Sequence, residues 1–186
     1  EAVMKGAIFN ALQEFVEQGH GYQVWDDALC NNTLPSHGIY TSTKQYDDSE
    51  LFAIVGYLSE QLSVPVPELV RAFGTFLFSR LMPQAPQEAQ NAPSLLTFLL
   101  MVDELIHVEV KKLYKDAQLP DFSYDEHIDD KLTMIYQSPR KLCFLSEGLI
   151  LGAAQHFGET VSLSQPVCMH QGGEHCEIEV VFNGKK

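Results

Sequence analysis

The hydrophobic period of this chain changes part-way along it, and that change limits the folds open to it. In the first half apolar residues recur three and four apart, the spacing of one helix face. "KGAIFNALQEFVEQ" (5–18) sets Ile8, Leu12 and Phe15 on one stripe and closes at Gly19. "GYQVWDDALCNN" (21–32) predicts a second, shorter helix. "DDSELFAIVGYLSEQL" (47–62) opens with Asp and Ser caps, and "PVPELVRAFGTFLFSRLM" (65–82) opens with prolines and stops before Pro83. The Pro/Gln/Ala run 83–93 reads as a loop and hinge, and 94–114 as the longest helix, capped by Ser94 and closed by basic residues. The second half differs. Residues 127–138 read as strand, 139–158 as a helix ending at Gly158, and 160–171 with 175–183 as a hairpin around "GG". Helices first, then strands with one inserted helix, predict an α+β fold with an antiparallel sheet.

With 186 residues, 45% of them hydrophobic, the chain suits one domain or a domain of two lobes. The formal charge of −13 argues against nucleic acid and anionic membrane surfaces, both of which need a basic patch. The longest apolar run, Leu95 to Val102, is broken by Thr97 and closed by Asp103 and Glu104, too short to span a bilayer. Met4 reads as the natural start, and no basic segment leads into an apolar run as in a secretory signal. A cytoplasmic protein with a protein or small-molecule partner is expected. Its four cysteines, Cys30, Cys143, Cys168 and Cys176, then read as reduced thiols or metal ligands.

Two stretches carry chemistry. In "LTMIYQSPRKLC" (132–143) Tyr136, Ser138 and Arg140 stand two apart, so an extended chain would point all three one way. Hydroxyls beside a guanidinium fork suit carboxylates. The plainer alternative has Tyr136 packing, Ser138 capping the next helix and Arg140 in solvent. In "DELIHVEV" His107 follows turns that are apolar all round. It is either a core-edge histidine with a hydrogen-bonding neighbour or an axial metal ligand. Haem has two carboxylates at one edge and an iron that takes an imidazole, which would answer both stretches together.

These residues resemble the H-NOX family, the haem nitric oxide/oxygen-binding domains that include the haem domain of soluble guanylate cyclase. The likeness runs from Met4 to about Phe182, as one domain with a helical distal lobe (about 4–62) and a C-terminal lobe (about 63–182) whose sheet and long helices enclose haem b. It implies that His107 is the proximal ligand, that Tyr136, Ser138 and Arg140 hold the propionates, and that Pro120 presses on the haem. The family's oxygen-binding members carry a distal tyrosine five residues after the motif arginine. Here that place is Leu145, with Phe144 beside it. Other distal candidates are Ile8, Leu12, Phe73, Leu77, Phe78 and Leu149, all apolar. Bound O₂ carries partial negative charge and benefits from a donor, whereas NO on ferrous iron needs none. A stand-alone bacterial sensor that binds NO and CO and excludes O₂ is expected. The likeness also implies that NO binding weakens the bond to His107 and that the lobes then shift. The partner would be a sensor histidine kinase or a cyclic-di-GMP enzyme. A haem enzyme is disfavoured by the apolar distal positions.

"CMHQGGEHC" (168–176) brackets the predicted hairpin with thiols and imidazoles, and Cys143 opens the preceding helix. Such ligands can close a tetrahedral zinc site. Some H-NOX proteins carry a zinc-binding cysteine cluster here that responds to oxidation. The expected ligands are Cys143, Cys168, Cys176 and one histidine. His170 ranks ahead of His175 because an ideal strand puts it on the face of Cys168. Three reduced thiols without metal remain the alternative, and Cys30 is expected to pack. A zinc-stabilised module for a small hydrophobic molecule, without haem, is the rival to the sensor.

Overall fold

The computed structural model describes residues 3–185, the side chains of 125–127 excepted. A short strand β1 (Val3–Lys5) leads into helices α1 (Gly6–His20) and α2 (Tyr22–Cys30). Strand β2 (Gln45–Asp47) pairs antiparallel with β1, a ribbon the helical pattern concealed. Helix α3 (Asp48–Leu62) starts where the Asp47 carboxylate accepts the Ser49 N–H at 2.8 Å, and α4 (Val66–Leu81) follows the expected proline start. The predicted loop 83–93 holds a 3₁₀ turn (Met82–Gln84) and a one-turn helix α5 (Gln87–Gln90).

Helix α6 (Leu95–Glu104) is capped by Ser94, whose hydroxyl accepts the Thr97 N–H at 3.2 Å. The predicted long helix holds its extent but not its register. Residues Leu105–Val110 form a π-helical turn before the last turn, α7 (Lys111–Leu113). The expected single strand 127–138 is two strands, β3 (Asp121–Ile128) and β4 (Lys131–Gln137). They reverse at Asp129, which takes the left-handed conformation at φ +50°. After helix α8 (Cys143–His156), the predicted hairpin forms as β5 (Glu159–Val167) and β6 (Cys176–Lys185). The sheet is wholly antiparallel, in the order β3-β4-β6-β5. No helix among the described residues is long and apolar enough to cross a membrane.

Two cores form. One gathers residues of α1 to α4 with Leu34 and Tyr40, and the other packs the sheet against α6 and α8. They divide within α4, between Leu77 and Phe78. The joint between them is the crossing of α4 and α8. There a Cβ on Gly148 would stand 2.1 Å from the Arg71 carbonyl oxygen and 2.8 Å from the Gly74 Cα. The helices touch backbone to backbone, and only glycine fits. Gly148→Ala should therefore lower the stability of the protein by about 1–3 kcal/mol, the cost of forcing bulk into a packed contact. Urea denaturation would measure it. An unchanged midpoint would show that the two helices can part.

Candidate cofactor cavity and thiol cluster

The end of β4 delivers the Tyr136, Ser138 and Arg140 side chains, but not by strand alternation. The strand stops at Gln137, and Ser138 to Lys141 make a turn closed by the Lys141 N–H on the Ser138 carbonyl at 3.1 Å. Lys141 sits at φ +52°. Within this turn the Ser138 hydroxyl accepts the Arg140 N–H at 3.3 Å, and the Tyr136 hydroxyl accepts the Leu142 N–H at 3.0 Å. The turn thereby brings the three residues to the wall of one cavity of about 300 Å³.

Pro120 and Leu145 line the same cavity, with Ile8, Leu77 and Leu149. A second, apolar cavity of about 330 Å³ adjoins it, lined among others by Phe78, Phe98, Val102 and Met134. Ile106, Val110, Tyr114 and Leu149 face both, so they form the partition. Ser146, a hydroxyl that the sequence reading passed over, also faces both cavities, its Oγ turned back to the Leu142 carbonyl at 3.4 Å. Leu12 and Phe73 lie in the N-terminal core instead of the cavity wall, and Phe144 stacks on His170 with ring centroids 5.4 Å apart.

Arg140 is the charged group at the cavity edge, and its side chain is 7% exposed. It donates to the Gln118 carbonyl at 2.6 Å, to Gln118 Oε1 at 3.0 Å and to the Val3 carbonyl. Its Nε lies 3.6 Å from Asp48 Oδ2 and is buried without a hydrogen-bond acceptor among the described residues. Burial lowers the Arg140 pKa from its ordinary value and raises that of Tyr136. The guanidinium remains a cation whose Nε donor is unused, as a carboxylate site requires.

His107 is not in either cavity wall. It sits in the π-helical turn, 31% exposed, with Nε2 3.4 Å from Asp103 Oδ1 and 3.3 Å from Asp121 Oδ1. Its neighbour Ile106 faces the cavities in its place. The π turn alters the residue-to-face relation that a regular helix would give, and such turns gather at functional sites.

Three of the four cysteines come together in one cluster. Cys143, Cys168 and Cys176 are buried, with their sulfurs within 4.8 Å of one another. The Cys143 and Cys168 sulfurs are 3.9 Å apart, and Cys176 Sγ accepts the Met169 N–H at 3.3 Å. Cys176 pairs across the sheet with Tyr136, so the cluster stands beside the cavity edge. The histidines do not join it. The strand ends at Val167 and a 3₁₀ turn follows at Met169–Gln171, which removes the shared face expected for Cys168 and His170. His170 Nε2 instead lies 2.7 Å from the Lys141 carbonyl, and His175 Nε2 lies 3.2 Å from Glu177. Cys30, expected to pack, is exposed.

The mixed helical and antiparallel-sheet fold is that of the H-NOX domains. The haem-NO-binding family model matches residues 5–165, and the chain belongs to that family. An H-NOX protein of S. oneidensis in the Fe(II)NO state is 35% identical, with 97% of this chain and 100% of that one covered and a TM-score of 0.87. The Fe(II) unliganded H-NOX protein of K. algicida is 28% identical, with 98% of each chain covered and a TM-score of 0.89. Soluble guanylate cyclase gcy-35 of Caenorhabditis elegans is 24% identical over 161 residues, which are 84% of this chain and 23% of that protein. The chain thus spans about a quarter of that relative's length.

Burial pushes the Cys143 thiol from its ordinary 9.0 up to about 12 and raises Cys176 as well. Between those values the folded, metal-free chain holds a proton that the unfolded chain has lost. Stability is then full below about pH 9 and falls as pH rises toward 12. Thermal midpoints of the reduced, metal-free protein should decline through this window, and less so in Cys143→Ala. Equal alkaline slopes would mean that the Cys143 thiol is solvated.

Proposed function

We propose that this protein is a haem-based gas sensor that binds NO, and CO, at ferrous haem, excludes O₂ and regulates a separate signalling protein. The observation that carries the reading is the convergence of Tyr136, Ser138, Arg140, Pro120 and Leu145 on one cavity, next to a second that is almost wholly apolar. Haem, when bound, supplies the iron that takes the gas. Arg140 would hold a propionate through its unused Nε and by exchanging carbonyl partners, with Tyr136 and Ser138 beside it. Pro120 would bear on the macrocycle. His107 would hold the iron, and the Leu105–Val110 turn would change register to bring its imidazole to the cavity in place of Ile106. Support for that change is the π turn itself, a local irregularity between regular helical segments.

Gas selectivity follows from the distal wall. Leu145, Leu149, Ile8 and Leu77 offer no donor, and the Ser146 hydroxyl is already directed at its own helix. The partner class we favour is a histidine kinase or a cyclic-di-GMP enzyme in the cytoplasm. Such a partner reads the state only by binding one conformation better than the other. The three thiols would hold zinc, and their oxidation would release it, giving a second input.

An anaerobic absorption spectrum of the dithionite-reduced protein, before and after NO and then in air, tests the reading. A Soret band that shifts with NO and forms no stable oxy species is expected. A protein that cannot be loaded with haem would reverse it in favour of a zinc-stabilised module for apolar ligands. Arg140→Ala should speed haem loss to an apoglobin scavenger by about tenfold to hundredfold, the worth of one charged hydrogen bond of ~1.5–3 kcal/mol. A rate equal to the parent's would remove Arg140 from the propionate site. Leu145→Tyr should slow O₂ dissociation enough for an oxy spectrum to persist. Unchanged behaviour in air would mean that Leu145 does not face the bound gas.

A further inference from the structure

We propose that Tyr124 is a positioning residue for His107: its hydroxyl, set on the Leu99 carbonyl, pins the end of α6, so that the Leu105–Val110 turn alone moves to carry the imidazole to the cavity. The proposal rests on the reading of His107 as the haem ligand and names the residue that holds the helix before it.

Strand β3 grips this helix at three places. Leu99, Asp103 and His107 stand four apart, the spacing of one helix stripe. The Tyr124 hydroxyl donates to the Leu99 carbonyl. One turn further along, the Asp103 carboxylate accepts the Phe122 N–H at 3.0 Å. At the third place Asp121 Oδ1 lies 3.3 Å from His107 Nε2. The helix is met in the order 99, 103, 107 and the strand in the order 124, 122, 121, so the two run antiparallel.

The three grips differ in strength. The Tyr124 phenol is half-buried, and burial raises its pKa, which keeps the hydroxyl protonated as a donor. A side chain that enters the i to i−4 ladder is a usual cause of departure from a regular helix, and the π turn follows within two turns of Leu99. The Asp121 side chain is 80% exposed, so its contact with His107 is the weakest of the three and gives way first.

Helix α6 is also fastened at its start. The Glu159 carboxylate accepts the Leu95 N–H at 2.8 Å, beside the Ser94 cap. Glu159 opens β5 and Tyr124 belongs to β3, the two edge strands of the sheet. The helix is thus a strut tied to both edges, with Leu95 and Leu99 buried beneath it. It cannot slide to bring His107 inward. The length left to move is the π turn, none of whose six residues is buried. Pro120, in the cavity wall, directly precedes Asp121. The strand that would feel the macrocycle through Pro120 is therefore the one that holds the helix of the histidine.

Tyr124→Phe keeps the ring and removes the hydroxyl, and two measurements on the full chain read its effect. In the haem-free protein, amide hydrogen exchange over residues 103–110 should quicken by about tenfold, the worth of one lost hydrogen bond. In the haem-loaded, ferrous, unliganded protein, the iron–histidine stretch in the resonance Raman spectrum should shift or broaden. Asp103→Ala, which removes the middle grip, should move both signals in the same direction and serves where Tyr124→Phe does not fold. A lower thermal midpoint with both signals unchanged would make Tyr124 a packing residue only and overturn the proposal. Faster exchange with an unchanged stretch would overturn it as well, because the turn would then not set the imidazole. A parent protein that takes up haem but shows no iron–histidine stretch, or takes up none, would instead sink the ligand reading of His107 and this proposal with it.

Discussion

The backbone contact between α4 and α8 is the constraint on which the rest of the structure hangs. Gly74, Gly148 and Gly152 remove the side chains that would hold these helices apart. Close approach lets Thr75 Oγ1 donate to the Gly148 carbonyl at 3.1 Å and Arg71 reach Glu147. One helix then serves both cores. From α8, Cys143 enters the thiol cluster, Leu145, Ser146 and Leu149 face the cavity, and Gly148 meets α4. Successive residues on a helix are set about 100° apart, so three such duties, carried by five residues within seven, use every face of α8. Its low amphipathic contrast, with Ser146 and Glu147 buried, is the mark of that position.

Arg140 is the second tie between the halves of the chain. A buried guanidinium is costly unless its donors are met, and removing its partners would cost about 3–5 kcal/mol. Here the partners come from β1, from the start of α3 and from the segment before β3. They are mostly backbone carbonyls, which a carboxylate can displace at small loss because they can turn to other donors or to water. A side chain so placed senses the cavity and the seam between the halves at once.

The elements with strong periodicity were legible from the sequence. Caps at Asp47 and Ser94, prolines at 65 and 67 and the alternation of β5 and β6 each state a local preference that the fold keeps. What escaped has a physical reason in each case. The β1–β2 ribbon is three residues a side, too short to show a period. The reversal at Asp129 is an acidic residue in left-handed conformation inside an alternating run, so two strands read as one. The π turn leaves no signature in hydrophobic spacing, and so the face of His107 could not be read. His170 was assigned from ideal strand geometry that the Met169–Gln171 turn interrupts. A turn, and not the expected alternation, brings Tyr136, Ser138 and Arg140 to one cavity wall.

One orphaned atom gives the cavity edge its polarity. An unmet buried polar group costs about 1–3 kcal/mol, which a marginally stable domain does not carry without cause. Arg140 Nε is a donor on a cation, and what satisfies it is an anionic acceptor. It stands at the rim of the cavity, and the three thiols form a second site. The sheet brings the two regions together, because Tyr136 and Cys176 are cross-strand partners on β4 and β6. An anionic edge arriving at Arg140 and a cation arriving at the thiols would thus meet complementary groups a strand apart, and both would bear on the N-terminal end of α8.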